Sequence, residues 1–226
     1  REGNQLHCEI EQLALRRKWE LDPHPYLFFN PDETFTFFGF NVDRATGKLR
    51  DPATNRVLFE NLALERSLIQ GLEIQDRRVL SENVATLNKK QKIQKLLKVM
   101  GKSWGDELQT IIDPDPTYEL TMDNVLKMLA IFMRFRADIP VIVMGETGCG
   151  KTRLIEYFCQ LQQDPNQPLK NMLLVRVHGG TSSEEIIEHV NQAEAQAKQN
   201  SQRCPGMYTV LFFDEANSTE AIGTIK

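Results

Sequence analysis

Residues 145–152 combine three glycines with a Lys-Thr pair at a spacing that could bind phosphate. The segment reads Gly145-Glu146-Thr147-Gly148-Cys149-Gly150-Lys151-Thr152 and completes the pattern G-x-x-x-x-G-K-[ST]. Gly145 and Gly150 permit backbone angles that a Cβ would forbid, so successive N–H groups can approach phosphate oxygens. Lys151 would bring a mobile positive charge to the β- and γ-phosphates. We therefore predict that residues 145–153, which include Arg153 directly after the pattern, bind a polyphosphate.

An acidic pair, Asp214-Glu215, follows an apolar run and could supply the second half of the chemistry. The Thr152 hydroxyl and the Asp214 carboxylate offer oxygen atoms, which Mg²⁺ prefers as ligands, so we expect them to hold this metal. Glu215 would orient and partly deprotonate the attacking water, while Lys151 neutralises charge on the phosphates. The pair and the loop together predict hydrolysis of a nucleoside triphosphate.

Three apolar runs alternate with helical patterns in the second half of the chain. The runs cover residues 140–144, 171–177 and 207–213, and their composition predicts buried strands. Helical patterns follow the first two, and Thr181-Ser182-Ser183-Glu184 has the form of a capping box. Alternating strands and helices predict a parallel sheet that binds ligands at the carboxyl ends of its strands. We therefore predict an α/β fold of the P-loop NTPase type, with an incomplete parallel-sheet core.

The first part of the chain predicts an α+β segment. Residues 1–22 have a helical pattern, and the aromatic runs 26–29 and 34–40 flank Asn30-Pro31-Asp32-Glu33. Pro31 suits the second position of a type I turn, so these runs predict a hairpin. The polar, turn-forming composition of residues 43–55 predicts a loop or a second hairpin turn. The apolar spacing from Val57 to Met100 predicts helices, the last capped by Gly101.

Aromatic and basic residues in this first part could bind a nucleic acid. Seven phenylalanines lie between residues 28 and 59, which is compatible with base stacking or with a packed core. No Lys or Arg occurs from Tyr26 to Val42, so a core or an inter-domain contact fits better. Lysines 89, 90, 92, 95 and 98 fit a solvated helix face better than a phosphate site.

Asp113-Pro114-Asp115-Pro116 is the strongest break in the chain. Its prolines remove two amide donors and disfavour helix at the residues before them. We predict a linker at 113–120, between the tail of a preceding module at 1–112 and a nucleotide-binding domain at 121–226. Thr121 would cap the first helix of that domain.

Composition sets further limits. The 226 residues are 41% hydrophobic and 26% charged with a net charge of -4, which predicts a globular core and makes nucleic-acid binding unlikely. No apolar run reaches the length of a membrane span, and no signal peptide opens the chain. The cysteines at 8, 149, 159 and 204 are scattered, which favours a reducing, intracellular setting. Because the chain begins at Arg1 and stops at Lys226, we expect a piece of a longer polypeptide.

Several stretches together resemble the AAA+ modules of the mysterin family of giant RING-finger ubiquitin ligases. They are residues 123–155, 177–181 and 214–217, and the hairpin at 26–40 resembles the tail of a preceding unit. The resemblance implies ATP as the nucleotide, neighbouring AAA+ units in the same parent chain, and a cytosolic, lipid-droplet-associated protein. It also implies that Tyr118 borders the adenine. E3 ligase activity and the ubiquitin-conjugating partners would belong to the parent outside this chain, which has no Cys/His zinc cluster.

Two functions stay open at this point. The first is a module that hydrolyses ATP to drive or gate conformational change; the second is a module that binds ATP without turnover and acts as a structural or sensing element. The intact Lys151, Thr152, Asp214 and Glu215 favour turnover. A small-molecule kinase is weaker, because no acceptor site is apparent. The sensor, lid and arginine finger of an AAA+ unit do not occur in these residues, so we expect the isolated chain to hydrolyse ATP poorly.

Overall fold

The computed structural model describes residues 26–52, 54–75, 86–102, 104 and 108–225. The helix predicted at 1–22 lies outside these residues. The chain forms two compact units, which divide between Leu87 and Asn88. The helix that begins at Lys89 therefore belongs to the same unit as the glycine loop. The module boundaries predicted at 112 and 121 stay a prediction.

The hairpin predicted in the first unit is present. Strands β1 (Tyr26–Phe29) and β2 (Phe35–Phe38) pair antiparallel, with Tyr26 opposite Phe38. The Glu33 amide donates to the Asn30 carbonyl at 3.1 Å, which places Pro31 at the second position of the turn as predicted. Glu33 itself has a φ of 63°, which returns the chain into β2.

The core of the first unit buries part of the aromatic run. The short strands β3 (Asn41–Val42) and β4 (Leu49–Arg50) pair antiparallel, and helix α1 (Arg66–Gln75) follows them. The buried side chains that pack together are Phe37, Phe40, Val42, Leu49, Ile69 and Leu72. These two phenylalanines are therefore core residues. Residues 57–65 do not form the predicted helix, because Val57 and Ala63 make isolated bridges to Arg50 and Lys48.

Each of three helices in the second unit has one end at the position that the sequence predicts. Helix α2 (Lys89–Val99) ends before Gly101, whose φ of 68° makes it the predicted left-handed cap. Helix α3 (Met122–Arg136) is capped by Thr121, whose side chain accepts from the Asn124 amide. Helix α4 (Lys151–Leu161) begins directly after Gly150.

The proline-rich segment 113–120 packs against helices α2 and α4. Lys89 forms an ion pair with Asp113 at 2.5 Å and donates to the Asp115 carbonyl at 2.8 Å. From α4, the Tyr157 hydroxyl donates to the Asp113 carboxylate at 3.0 Å. The ring of Tyr157 stacks on that of Tyr118, with 4.4 Å between the centroids. The segment is thus held on both sides by polar and aromatic contacts.

A β–α–β unit brings the acidic pair into the second unit. Strands β5 (Met172–Arg176) and β6 (Val210–Asp214) are parallel, with Arg176 opposite Asp214, and helix α5 (Ser183–Arg203) connects them. The capping box predicted at Thr181 and Glu184 is wrong by one residue. Ser182 is the cap and Glu185 its partner; Thr181 instead folds back, and its hydroxyl accepts from the His178 amide at 3.0 Å.

The strand predicted at 140–144 does not form. Residues 139–146 have no regular structure, and Ile142 and Met144 are each 87% exposed. A parallel strand needs ladder hydrogen bonds to neighbours and burial on both faces. Among the described residues the parallel sheet consists of β5 and β6 alone, which do not pair with this run. The run 140–144 therefore has no neighbouring strand among the described residues.

Candidate functional site

The glycine loop takes up backbone conformations that depend on glycine at two positions. Gly148 and Gly150 have φ values of 79° and 85°, in the left-handed region that other residues rarely adopt. Gly145 matters for space, since a Cβ there would lie 2.9 Å from the sulfur of Cys149. Glycine at position 150 is therefore favoured by the left-handed backbone conformation. Glycine at position 145 is favoured because a larger residue would clash with the Cys149 side chain.

Lys151 closes the loop upon itself. Its ammonium group donates to the carbonyl of Gly145 at 3.0 Å and to that of Glu146 at 2.8 Å. The Cys149 sulfur lies 3.9 Å from the same nitrogen. A phosphate oxygen would compete with these carbonyls for the same ammonium protons. The ammonium group is thus held by carbonyls of the loop itself.

Thr152 and Asp214 meet directly although they lie 62 positions apart along the chain. The Thr152 hydroxyl donates to the Asp214 carboxylate at 2.8 Å. Thr152 lies in the first turn of α4, and Asp214 is the last residue of β6. The two predicted metal ligands are therefore side by side at the carboxyl end of a parallel strand.

A cavity of about 490 Å³ lies over this pair. Nine of the predicted site residues line it: Gly145, Thr147, Gly148, Gly150, Lys151, Thr152, Arg153, Asp214 and Glu215. Asn217 and Ser218 complete the lining. Glu215 is exposed and has a left-handed backbone with φ 57° and ψ 38°. Glu146 and Cys149 belong to the loop but do not line the cavity, and their predicted contact with the ligand stays a prediction.

The oxygen pair has the composition of a magnesium site that is completed by a ligand. Mg²⁺ is usually bound by one or two carboxylates together with substrate phosphates, not by an all-protein cage. Among the described residues, no three His, Cys, Asp or Glu side chains form a group that could hold a metal ion alone. The Thr152 and Asp214 oxygens therefore fit Mg²⁺ carried with a nucleotide.

Comparison with known sequences decides the family of this site. The chain matches the family model described as the RNF213 AAA domain over residues 118–226. This part of the chain belongs to the RNF213 AAA domain family. The resemblance to AAA+ modules of giant ubiquitin ligases is thereby confirmed.

Named relatives of the RNF213 AAA region cover nearly the whole chain. Over 96% of it, the chain is 48% identical to the E3 ubiquitin-protein ligase rnf213-beta of Danio rerio. It is 42% identical over 99% of its length to the E3 ubiquitin-protein ligase RNF213 of Mus musculus, and 42% identical over 96% to that of Homo sapiens. The chain spans 4% of the length of each of these relatives.

In this member of the RNF213 AAA domain family, Arg153 does not point its charge at the loop. Its guanidinium group binds the Asp115 carboxylate at 2.8 Å and the Thr117 hydroxyl, and it lies 5.8 Å from the centre of the Tyr118 ring. Hydrogen bonding from Thr117, and next from Arg153, lowers the pKa of Asp115 to about 2. Burial raises the pKa of Tyr118. Arg153 thus joins the first turn of α4 to the segment 113–120.

The sequence did not single out Ser218 as a cavity residue, and it named Asn217 only within the family resemblance. Both follow the acidic pair in a short 3₁₀ turn (Ala216–Ser218). Polar residues directly after the carboxyl end of a parallel strand were the signal that could have found them. His178, at the end of β5, keeps a local role, because its ring nitrogen accepts from the Gly180 amide at 3.2 Å.

Among the residues that the structure describes, no helix combines sufficient length with sufficient apolar character to cross a bilayer.

Proposed function

We propose that this member of the RNF213 AAA domain family binds ATP with Mg²⁺ and hydrolyses it. The observation that carries the proposal is the 2.8 Å contact between the Thr152 hydroxyl and the Asp214 carboxylate, beside the loop and the cavity. It brings the phosphate-binding and acidic motifs to one place, as ATP hydrolysis requires.

The chain's own groups divide the work of binding and catalysis. The N–H groups of the loop 145–152 and of the first turn of α4 would donate to phosphate oxygens. Lys151 would exchange its bonds to the Gly145 and Glu146 carbonyls for bonds to phosphate. Thr152 and Asp214 would hold Mg²⁺, which when bound neutralises charge on the phosphates.

Glu215 is the proposed general base. It directly follows the metal-side carboxylate and lines the cavity, where it would accept a hydrogen bond from the attacking water and take its proton. Tyr118 and Arg153, on the side of the segment 113–120, would border the adenine. Residues 113–120 would then be the linker into the nucleotide-binding domain 121–226.

The wider role follows from the named relatives and is also proposed. The module would work beside neighbouring AAA+ units of a long RNF213-like chain, and its nucleotide cycle would drive or gate conformational change there. Transfer of ubiquitin would take place elsewhere in that chain, with ubiquitin-conjugating enzymes as partners. We place the parent protein in the cytosol and at lipid droplets.

Single-turnover hydrolysis in the full-length protein tests the proposal against binding without turnover. Lys151→Ala should remove nucleotide binding at this site, and the turnover lost with it defines the contribution of the site. Glu215→Gln keeps size and hydrogen bonding but removes the base, so it should abolish the same contribution while ATP binding persists. Turnover that neither substitution changes would refute hydrolysis. Binding lost with Lys151→Ala, but no turnover at this site, would assign the structural or sensing role.

A further inference from the structure

Glu215 has an uncommon backbone conformation for its residue type. Its φ of 57° and ψ of 38° lie in the left-handed region, where a Cβ crowds the following carbonyl. Such conformations persist only where the surroundings over-determine them, and they cluster at functional sites. The groups that hold Glu215 in place are therefore of interest.

Ser218 holds the carbonyl of Glu215 from within the same turn. Its amide donates to that carbonyl at 2.9 Å, and its hydroxyl lies against the same oxygen. The hydroxyl also lies 3.3 Å from the carbonyl oxygen of Val177, at the end of β5. Since a hydroxyl carries one proton, the two carbonyls share it. The Val177 amide in turn donates to the Asp214 carbonyl at 3.0 Å, so both sides of Glu215 are tied to the end of β5.

Thr219 anchors the other end of the turn in a buried position. It is 5% exposed, and its hydroxyl donates to the Thr181 carbonyl at 2.8 Å. The same hydroxyl accepts from the Ala221 amide at 3.1 Å, so both its donor and an acceptor position are used. Thr181 is itself fixed, because it is 7% exposed and exchanges hydrogen bonds with His178. The anchor is therefore a buried residue of a loop that is closed by its own hydrogen bonds.

We propose that Ser218 and Thr219 are positioning residues that hold Glu215 in its left-handed conformation, with its carboxylate at the cavity. This inference rests on the proposed function of Glu215 as general base. The hydrogen bonds of the two hydroxyls go to the backbone of Val177, Glu215, Thr181 and Ala221, and not to the phosphate loop or to the side chains of Thr152 and Asp214. Loss of either hydroxyl should therefore lower the rate of hydrolysis. Because Ser218 lines the cavity and Thr219 does not, unchanged nucleotide affinity is expected of the Thr219 variants.

The test compares hydroxyl deletions with a matched control in the full-length protein. Thr219→Val keeps the shape and removes the donor, Thr219→Ser restores the hydroxyl, and Ser218→Ala removes the second tie. Thr224→Val is the control, since it makes the same change in the same segment, where the hydroxyl bonds Ser183 at an exposed site. Turnover of this site is measured as the part that Lys151→Ala abolishes.

We expect Thr219→Val to lower kcat at this site by about tenfold to a hundredfold, with KM changed less than about twofold. Thr219→Ser should recover most of the rate, Ser218→Ala should lower kcat in the same direction, and Thr224→Val should leave it unchanged. Hydrogen–deuterium exchange should rise at the amides of Ser218 and Ala221 in Thr219→Val and stay unchanged across 145–152.

Each other result has a defined meaning. A Lys151-dependent rate that Thr219→Val and Ser218→Ala both leave intact overturns the positioning role while hydrolysis stands. A rate that neither Lys151→Ala nor Glu215→Gln changes overturns the proposed function itself. If Thr219→Val raises exchange throughout residues 88–225, the variant has lost its fold, and the exposed Ser218→Ala then decides: unchanged kcat refutes the proposal.

Discussion

Removing one oxygen from Tyr157 should loosen the segment 113–120 without disturbing its packing. Tyr157 is 1% exposed, and its hydroxyl donates to the Asp113 carboxylate at 3.0 Å. Its ring stacks on Tyr118 at 4.4 Å with 21° between the planes. Tyr157→Phe keeps the ring and its stacking and deletes only the hydrogen bond. Any change in the segment can then be attributed to that bond.

The magnitude follows from what Asp113 retains. A hydrogen bond to a charged group contributes about 1.5–3 kcal/mol net. The Asp113 side chain is 19% exposed and keeps its ion pair with Lys89 at 2.5 Å, so water can replace part of the loss. We therefore expect a loss at or just below the low end of this range, about 1–2 kcal/mol, which raises the opening equilibrium of the segment roughly 5- to 30-fold.

Hydrogen–deuterium exchange of peptides spanning 113–120 in the full-length protein measures this opening. Tyr118→Phe is the matched control, because the Tyr118 hydroxyl makes no hydrogen bond with any residue that the structure describes, while its ring forms the other half of the stack. Exchange that rises equally in both variants, or in neither, would refute the assignment of the bond to Tyr157 and Asp113.

The same bond has a predictable pH dependence. Burial is the main cause that raises the pKa of Tyr157, and the negative charge of Asp113 is the next. A raised pKa in the folded state means that the stabilisation is complete below the pKa of an unfolded tyrosine, about 10, and is lost as the pH rises through the folded value. Protection of the segment should therefore be constant from pH 6 to 9.

Two further predictions concern thiol reactivity and glycine. Burial raises the pKa of Cys159 to about 12, so roughly one thiol in ten thousand is ionised at pH 8, whereas Cys149 is exposed. Of these two cysteines, iodoacetamide should therefore modify Cys149 alone, and bound ATP should slow that modification. Peptide mass mapping measures both effects. Gly47→Ala would place a Cβ 2.2 Å from a backbone carbonyl oxygen at a φ of +70° and should destabilise the first unit by about 2–4 kcal/mol. Gly71→Ala, with nothing within 4 Å in helix α1, should stabilise it by about 0.5–1 kcal/mol, and amide exchange across 35–50 compares the two.

Local patterns in the sequence predicted the elements whose formation depends on local chemistry. The loop at 145–152 and helix α4 follow from glycines, the Lys-Thr pair and an apolar helix face, and all are present. The capping box failed by one residue because Thr181 and Ser182 are each followed three residues later by a glutamate, at 184 and 185. Sequence spacing alone cannot choose between two such pairs. The choice depends on the bond from Thr181 back to His178.

Elements whose formation depends on distant partners could not be predicted in the same way. Residues 140–144 have strand composition, yet a strand exists only with a neighbour, and the neighbour is not encoded in the run itself. Residues 57–65 have helical spacing, yet their pairing with Lys48 and Arg50 prevails. The prolines of 113–116 correctly exclude helix, but nothing local indicates that Lys89 and Tyr157 hold that segment in place.

The glycine loop and the acidic pair meet although the strand predicted before the loop does not form, because two side chains fix helix α4 against β6 at both ends. At the carboxyl end of β6, Thr152 donates to Asp214 at 2.8 Å. At the amino end, the side-chain amide of Asn171 donates to the Cys159 carbonyl at 2.9 Å. The backbone carbonyl of Asn171 accepts from the Val210 amide at 2.8 Å. From Thr152 to Cys159 the helix rises roughly 10 Å, and from Val210 to Asp214 the strand rises roughly 13 Å, so the two spans match. Helix α4 must therefore run antiparallel to β6, which places the glycine loop beside the acidic pair whatever the order of strands elsewhere in the sheet.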